Sequence, residues 1–330
     1  MKYLLVGDPH FGGGNIEDTQ LLEKEINRVI EEEKPDEVVL LGDVHDRYDV
    51  EANSRANEWI TERLCKKIRV TLIVGNHERK DNTDYHSKVH HYVGMEKDGL
   101  RIVSETVKVG NVIYVPYVRP GMFQAALNHA GGIKNVKWIF AHQAFIGCCD
   151  LSALDEWNNS STRVVSGHIH TRMSLSKGIR QQQVLDKGWN VYYPGSSTCT
   201  TFLDTQDRVL CIVEDDSIRE VVIESCKRRV MTLTTDFTDE DIDMIRTSDK
   251  YTRITIIGTY AECTEMQDTE LIREAKKRGS VINTHQTDKG GVSEGVVVGV
   301  SKPFCDDVVS KMSEKWTKEE LAYLIATMRG

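Results

Sequence analysis

The sequence has no apolar run approaching the roughly 18 residues that a membrane-spanning helix needs, so a transmembrane anchor is not expected. Its eight cysteines are irregularly spaced and form no Cys-x-x-Cys pair. That argues against a thiolate-held structural zinc and against a disulfide framework, and it predicts a reducing, cytoplasmic setting (the host cytoplasm if the chain is viral). Internal repeats, low-complexity tracts and a P-loop are also missing, so any ATP dependence would have to come from a separate subunit. Basic excess is lacking too. The net charge of −9 is unusual for a protein that grips nucleic acid unaided, and it fits better if a partner supplies much of the grip. Finally, Met1–Val6 runs almost directly into a polar motif, which leaves no room for a removable signal peptide.

What is present is an ordinary globular composition, 39% hydrophobic and 28% charged over 330 residues, enough for one large or two medium domains. Five short polar clusters stand out within it. They are Asp8-Pro9-His10, Gly42-Asp43-Val44-His45-Asp46, Gly75-Asn76-His77-Glu78, Ala141-His142-Gln143 and Gly167-His168-Ile169-His170. Each follows a short apolar stretch of strand type. One Asp-x-His or His-x-His alone is most often a set of ordinary hydrogen-bonded residues; five in succession at strand ends are not.

Together the clusters offer carboxylates, an amide and imidazoles, a donor set suited to manganese, iron or zinc. Two divalent ions about 4 Å apart can clamp the attacking and leaving oxygens of a phosphate ester and bring the pKa of a shared water toward ~7. Asp43, at the end of the apolar run Glu37–Leu41, stands where a bridging carboxylate is expected. His45 is left out, because strand alternation turns it away from Asp43's neighbours. His86, His90, His91, His129 and His285 lack the strand-end setting and read as surface or loop residues.

The order of these motifs resembles the calcineurin-like metallophosphoesterase superfamily and, within it, the SbcD-type double-strand-break nucleases. The resemblance implies Asp8, His10, Asp43 and His170 as ligands of one metal, and Asp43, Asn76, His142 and His168 as ligands of a second. It implies His77 as the catalytic residue that contacts the phosphate and helps the leaving oxygen depart. Manganese is the expected ion, with magnesium, iron or zinc possible. Asp8-Pro9-His10-Phe11-Gly12, Ala141-His142-Gln143 and Tyr193-Pro194-Gly195-Ser196-Ser197, followed by Thr201-Phe202, are similar to the nuclease branch. Gly42–Arg47 and Gly75–Glu78 are closer, letter for letter, to the serine/threonine phosphatase branch. Yet Phe11 and Val74 stand where that branch has glycine and arginine. A phosphatase or small-molecule phosphodiesterase therefore stays open, as does a mainly structural tether for an ATPase at DNA ends, though a tether has no need of so complete a ligand set.

The strand–helix alternation predicts an α/β fold. Strands are expected at Lys2–Val6, Val38–Leu41, Val70–Val74 and Val136–Ala141, with helices at Ile16–Glu32 and Ala52–Lys66. Short β runs follow from Val164 to Ile223. The resemblance makes this a four-layer α-β-β-α metallophosphoesterase sandwich over 1–226, with a smaller α+β capping domain over 227–300. In that domain strands at Val230–Thr234, Tyr251–Ile257 and Ser280–Asn283 and helices at Thr238–Ile245 and Thr269–Lys277 suggest a β-α-β-β order. The segment 301–330 carries a helix-like apolar stripe (Trp316, Leu321, Leu324, Ile325, Met328). It packs on its own domain or, as the resemblance allows, docks on an SbcC-type coiled-coil ATPase. DNA and a second copy of the chain complete the partners that the resemblance implies.

Overall fold

Period-two burial organises the larger part of the chain. In its first strand, Lys2–Val6 (β1), Leu4 and Val6 face one way and Tyr3 and Leu5 the other, and all four are buried. Val38 and Leu40 against Val39 and Leu41 repeat the split. Strands buried on both faces belong inside a layered structure, and there the computed structural model places them. The structure describes residues 1–46, 49–79, 89–148, 150–159, 161–181, 185, 188–199, 206–226, 228–234 and 238–286.

After β1 come α1 (Ile16–Glu33), β2 (Glu37–Leu40), α2 (Val50–Glu58), β3 (Arg69–Ile73), β4 (Leu100–Val103), β5 (Val107–Val109) and β6 (Val112–Val115). Then follow α3 (Phe123–His129), β7 (Trp138–His142), β8 (Arg163–Gly167), β9 (Met173–Ser176), β10 (Ile179–Arg180), β11 (Val191–Tyr193), β12 (Val209–Glu214) and β13 (Ser217–Val222). One sheet has the order β13-β12-β1-β2-β3-β4, and the other β10-β9-β11-β8-β7-β6-β5. Both are mixed: β1 to β4 run parallel, as do β6, β7, β8 and β11.

Three apolar clusters separate four layers. Leu22, Ile26 and Val29 of α1, with Ala56 of α2, cover the outer face of the first sheet. Tyr3, Leu5 and Val39 meet Tyr114, Phe140 and Val165 between the sheets. Phe123, Ala126 and Leu127 of α3 cover the second sheet from outside. The expected helix at Ala52–Lys66 is α2 continued by a π-helical turn, Trp59–Leu64, whose wider winding buries Trp59, Ile60 and Leu64.

A third sheet is built from β14 (Arg229–Leu233), α4 (Asp239–Arg246), β15 (Thr252–Gly258), α5 (Tyr260–Gln267), α6 (Glu270–Lys277) and β16 (Val281–Gln286). The expected β-α-β-β order is corrected here. The strands are all parallel, and parallel neighbours need crossovers, so two helices separate the last pair. α5 escaped the sequence because only Cys263 and Met266 of it are buried, too few for an apolar stripe. Thr238 and Asp241 form a capping box at the start of α4. Thr201, Phe202, Asp204, Lys227 and the segment 301–330 lie outside the described residues. Among the described residues no helix is long and apolar enough to cross a membrane.

Candidate metal centre

The polar clusters follow β1, β2, β3, β7 and β8, all parallel within their sheets, so the loops gather at the carboxyl ends of the strands. Those loops are bent hard. Asp8 (φ 32°), His10 (48°), Asp43 (45°) and His168 (80°) adopt left-handed backbone without being glycine. Each such residue costs roughly 1–3 kcal/mol and persists only where its surroundings fix it. Here they do. The His10 and Phe11 N–H groups donate to Asp43 and Val44 carbonyls (3.0 and 2.6 Å), joining the first two loops. The Ser196 and Thr198 hydroxyls donate to the Asp8 and Pro9 carbonyls (2.8 and 2.9 Å), so the Tyr-Pro-Gly-Ser segment clamps the first loop from beneath.

Close approach explains two of the motif glycines. A Cβ on Gly167 would lie 2.5 Å from Asp8 Oδ1, and one on Gly42, itself at φ 102°, would strike the His142 ring.

Asp8, His10, Asp43, Asn76, His77, His142, His168 and His170 converge on one depression. His10 Nε2 faces His170 Nε2 at 2.8 Å. Asn76 Oδ1 lies 2.7 Å from His168 Nδ1 and 3.0 Å from His142 Nε2, and His142 Nε2 is also 3.2 Å from Asp43 Oδ2. His142 Nδ1 donates to the Leu41 carbonyl at 2.7 Å, which turns Nε2 toward the site. Two sets of three ligand atoms lie within 4.8 Å of one another: Asp43, His142 and His168, and also His10, Asp46 and His77. These are two candidate metal sites. His77 rests on the solvent side with its N–H on Asp43 Oδ1 (3.0 Å) and its Nδ1 hydrogen-bonded to the Asp46 carbonyl.

Electrostatics test the fit. Asp8 Oδ2 is buried without a hydrogen-bond partner, and burial pushes the Asp8 carboxyl up to about 7. Burial would also favour neutral Asp43, but His142, His10 and His77 around it hold it well below the usual carboxylate range. For His142 burial acts to lower the pKa, yet Asp43 and Asp8 outweigh it and raise it to about 9. Burial lowers His10 to about 3 and His168 to about 4, leaving both as neutral rings. Buried carboxylates, neutral imidazoles and an unsatisfied oxygen aimed into one space fit divalent cations.

Residues 1–172 match the family described as calcineurin-like phosphoesterase. The chain belongs to that family. It is similar to a protein of Invertebrate iridescent virus 6 provisionally named phosphoesterase 244L, at 34% identity over 66% of this chain and 78% of that one. A second relative, provisionally named phosphoesterase 078R, of Invertebrate iridescent virus 3, is 25% identical over 94% of this chain and 92% of its own. Among solved structures, the Pseudomonas putida nuclease MPE overlaps 66% of this chain and 87% of its own at 16% identity, with a TM-score of 0.33. This calcineurin-like protein is a metal-dependent phosphoesterase.

Sequence reasoning missed several residues around the site. In the sequence Glu78 marks only a likeness to the phosphatase branch. It is fully buried, and its carboxylate accepts the N–H groups of Gly75, Asp43 and His45 (2.8, 3.1 and 3.1 Å). Tyr117, backed by Arg79, brings its ring centroid within 5.5 Å of His168's. Asp46 approaches His10 Nδ1 at 3.7 Å, and Asp150 approaches His168 Nε2 at 3.5 Å. Only Glu78 and Asp46 had a signal, since they lie within the motifs. His45 stays out of the depression, but not as a strand residue: past a single bridge to Phe11 its ring is buried against Tyr92, whose hydroxyl is 2.9 Å from Nδ1. His91, in a turn, is half-buried with its ring against His45; His129 and His285 are exposed, and His86 lies outside the described residues.

Proposed function

We propose that the chain is a two-metal phosphodiesterase that cleaves DNA as exo- or endonuclease, serving as the nuclease subunit beside an SbcC-type coiled-coil ATPase. Asp8, His10, Asp43 and His170 would hold one ion, and Asp43, Asn76, His142 and His168 the other, with manganese the preferred metal. The observation that carries the nuclease reading is the Tyr193–Ser197 segment. The residues most similar to the nuclease branch are the ones whose Ser196, with Thr198 beside it, fixes the loop of Asp8 and His10.

When bound, such ions supply Lewis acidity to phosphoryl oxygens and a water of lowered pKa. The chain's own residues do the rest. Asp43, reached by His142 from one side and His77 from the other, fixes the two halves of the site relative to each other. His77, anchored through Nδ1, presents Nε2 3.9 Å from Asp43 Oδ2 on the open side. Protonated there, it can donate to the leaving 3′ oxygen, a general-acid contribution of about 10²–10⁴ in rate. The third sheet's unit fits a cap. Tyr251 and Lys250 bind Glu17 near the start of α1 (2.9 and 2.7 Å), and Arg228 donates to the Cys199 carbonyl just beyond the clamp segment.

Glu78, which favours the phosphatase branch, supports a second reading: hydrolysis of phosphoproteins or small phosphodiesters. The manganese-loaded protein offered linear duplex DNA, single-stranded DNA, a phosphopeptide and an aryl phosphodiester separates them. DNA cleavage is expected; turnover of the small esters with DNA untouched would favour the second reading.

A further inference from the structure

Each imidazole placed around Asn76 has two ring nitrogens, and what lies behind the ring decides which one keeps a lone pair for a cation. For His142 the Leu41 carbonyl takes Nδ1–H. For His168 the nitrogen facing Asn76 is Nδ1, at 2.7 Å; for Nδ1 to offer its lone pair to an ion shared with Asn76, the ring proton must sit on Nε2. The group behind Nε2 is Asp150 Oδ2, at 3.5 Å. Asp150 belongs to the turn after β7, outside every motif in the sequence. Its other oxygen, Oδ1, is committed: it accepts both the N–H and the hydroxyl of Ser152, at 2.8 and 2.7 Å. That pair of hydrogen bonds within the turn leaves Oδ2 directed at His168.

We infer that Asp150 is a positioning residue for the second metal. It keeps the His168 proton on Nε2 and thereby leaves the Nδ1 lone pair directed at the ion. The inference rests on the metal reading of the site and adds to it a residue that touches neither ion nor substrate. A coordinated imidazole is a stronger N–H donor than a free one, so the long contact should tighten on metal loading. Partners of this kind typically contribute 10–100-fold in metal affinity.

Asp150→Asn makes the inference sharp. Ser152 requires an acceptor, so the amide oxygen stays on Ser152 and the NH₂ group turns toward His168. The substitution preserves shape and turn, yet it offers Nε2 a donor and favours the wrong tautomer. Manganese binding to wild type, Asp150→Asn and Asp150→Ala is measured by calorimetry on metal-stripped protein. Histidine nitrogen NMR reads the His168 tautomer in the same samples. Expected are two manganese ions in wild type, one of them weakened about 10–100-fold in both variants, and a His168 proton moved to Nδ1 in Asp150→Asn. If Asp150 only shaped its turn, Asp150→Asn would bind like wild type while Asp150→Ala lost thermal stability, and the inference would be overturned. Wild type that binds no ion would instead remove the metal reading itself, and the inference with it.

Discussion

At the scale of single residues, the metal-free site holds itself together with protons. Asp43, Asp8 and Glu78 are buried carboxyls, and His142 is the buried ring whose pKa Asp43 and Asp8 raise against burial, to about 9. A cation entering between Asp43 and Asn76 must displace that proton, and at Asp8, near 7, it displaces part of another. His10 and His168, lowered to about 3 and 4, are already neutral and release none at neutral pH. Affinity for manganese should therefore climb as pH rises from 7 to 9 and fall steeply below 7. At pH 7 binding should release about one to two protons per chain. Calorimetry in buffers of different ionisation enthalpy measures that number. Heats independent of the buffer would show that these groups are not the ligands.

At the scale of elements, the loops after β2 and β3 depend on Glu78. It stitches Gly75, Asp43 and His45 with three accepted N–H groups. Glu78→Ala would leave those donors buried and unpaired, at a cost of about 3 kcal/mol or more, and would release Asp43 from its left-handed conformation. Urea unfolding of metal-free protein should show that loss, and manganese affinity should fall with it. Wild-type stability and affinity together in Glu78→Ala would refute the stitch. The candidate ligands were legible in the sequence because each sits at the end of an apolar strand within a short motif. Most strands were legible too, since Leu4 and Val6 alternate with Tyr3 and Leu5. What the sequence hid was contact between distant turns. Asp150 lies in an Asp-Leu-Ser turn outside the motifs, Tyr117 follows a proline, and α5 has no apolar stripe. The single-residue bridge between Phe11 and His45 similarly replaced the strand that alternation had suggested.

At the scale of the molecule, two sheets covered by helices bring five loops from across the first 170 residues to one edge, and a third parallel sheet adjoins that edge through Glu17 and Cys199. The net charge of −9 is unusual for a chain that grips DNA unaided, so the proposed nuclease would draw much of its grip from the proposed partner. The converged side chains are proposed to hold two divalent ions, with His77 acting on the ester beside them. The most direct test measures manganese content and aryl phosphodiester hydrolysis on the same samples of wild type and His77→Ala. Two ions per chain in both proteins, with turnover reduced about 10²–10⁴-fold in the variant, is the predicted result. Full turnover in His77→Ala, or no bound manganese in wild type, would contradict it.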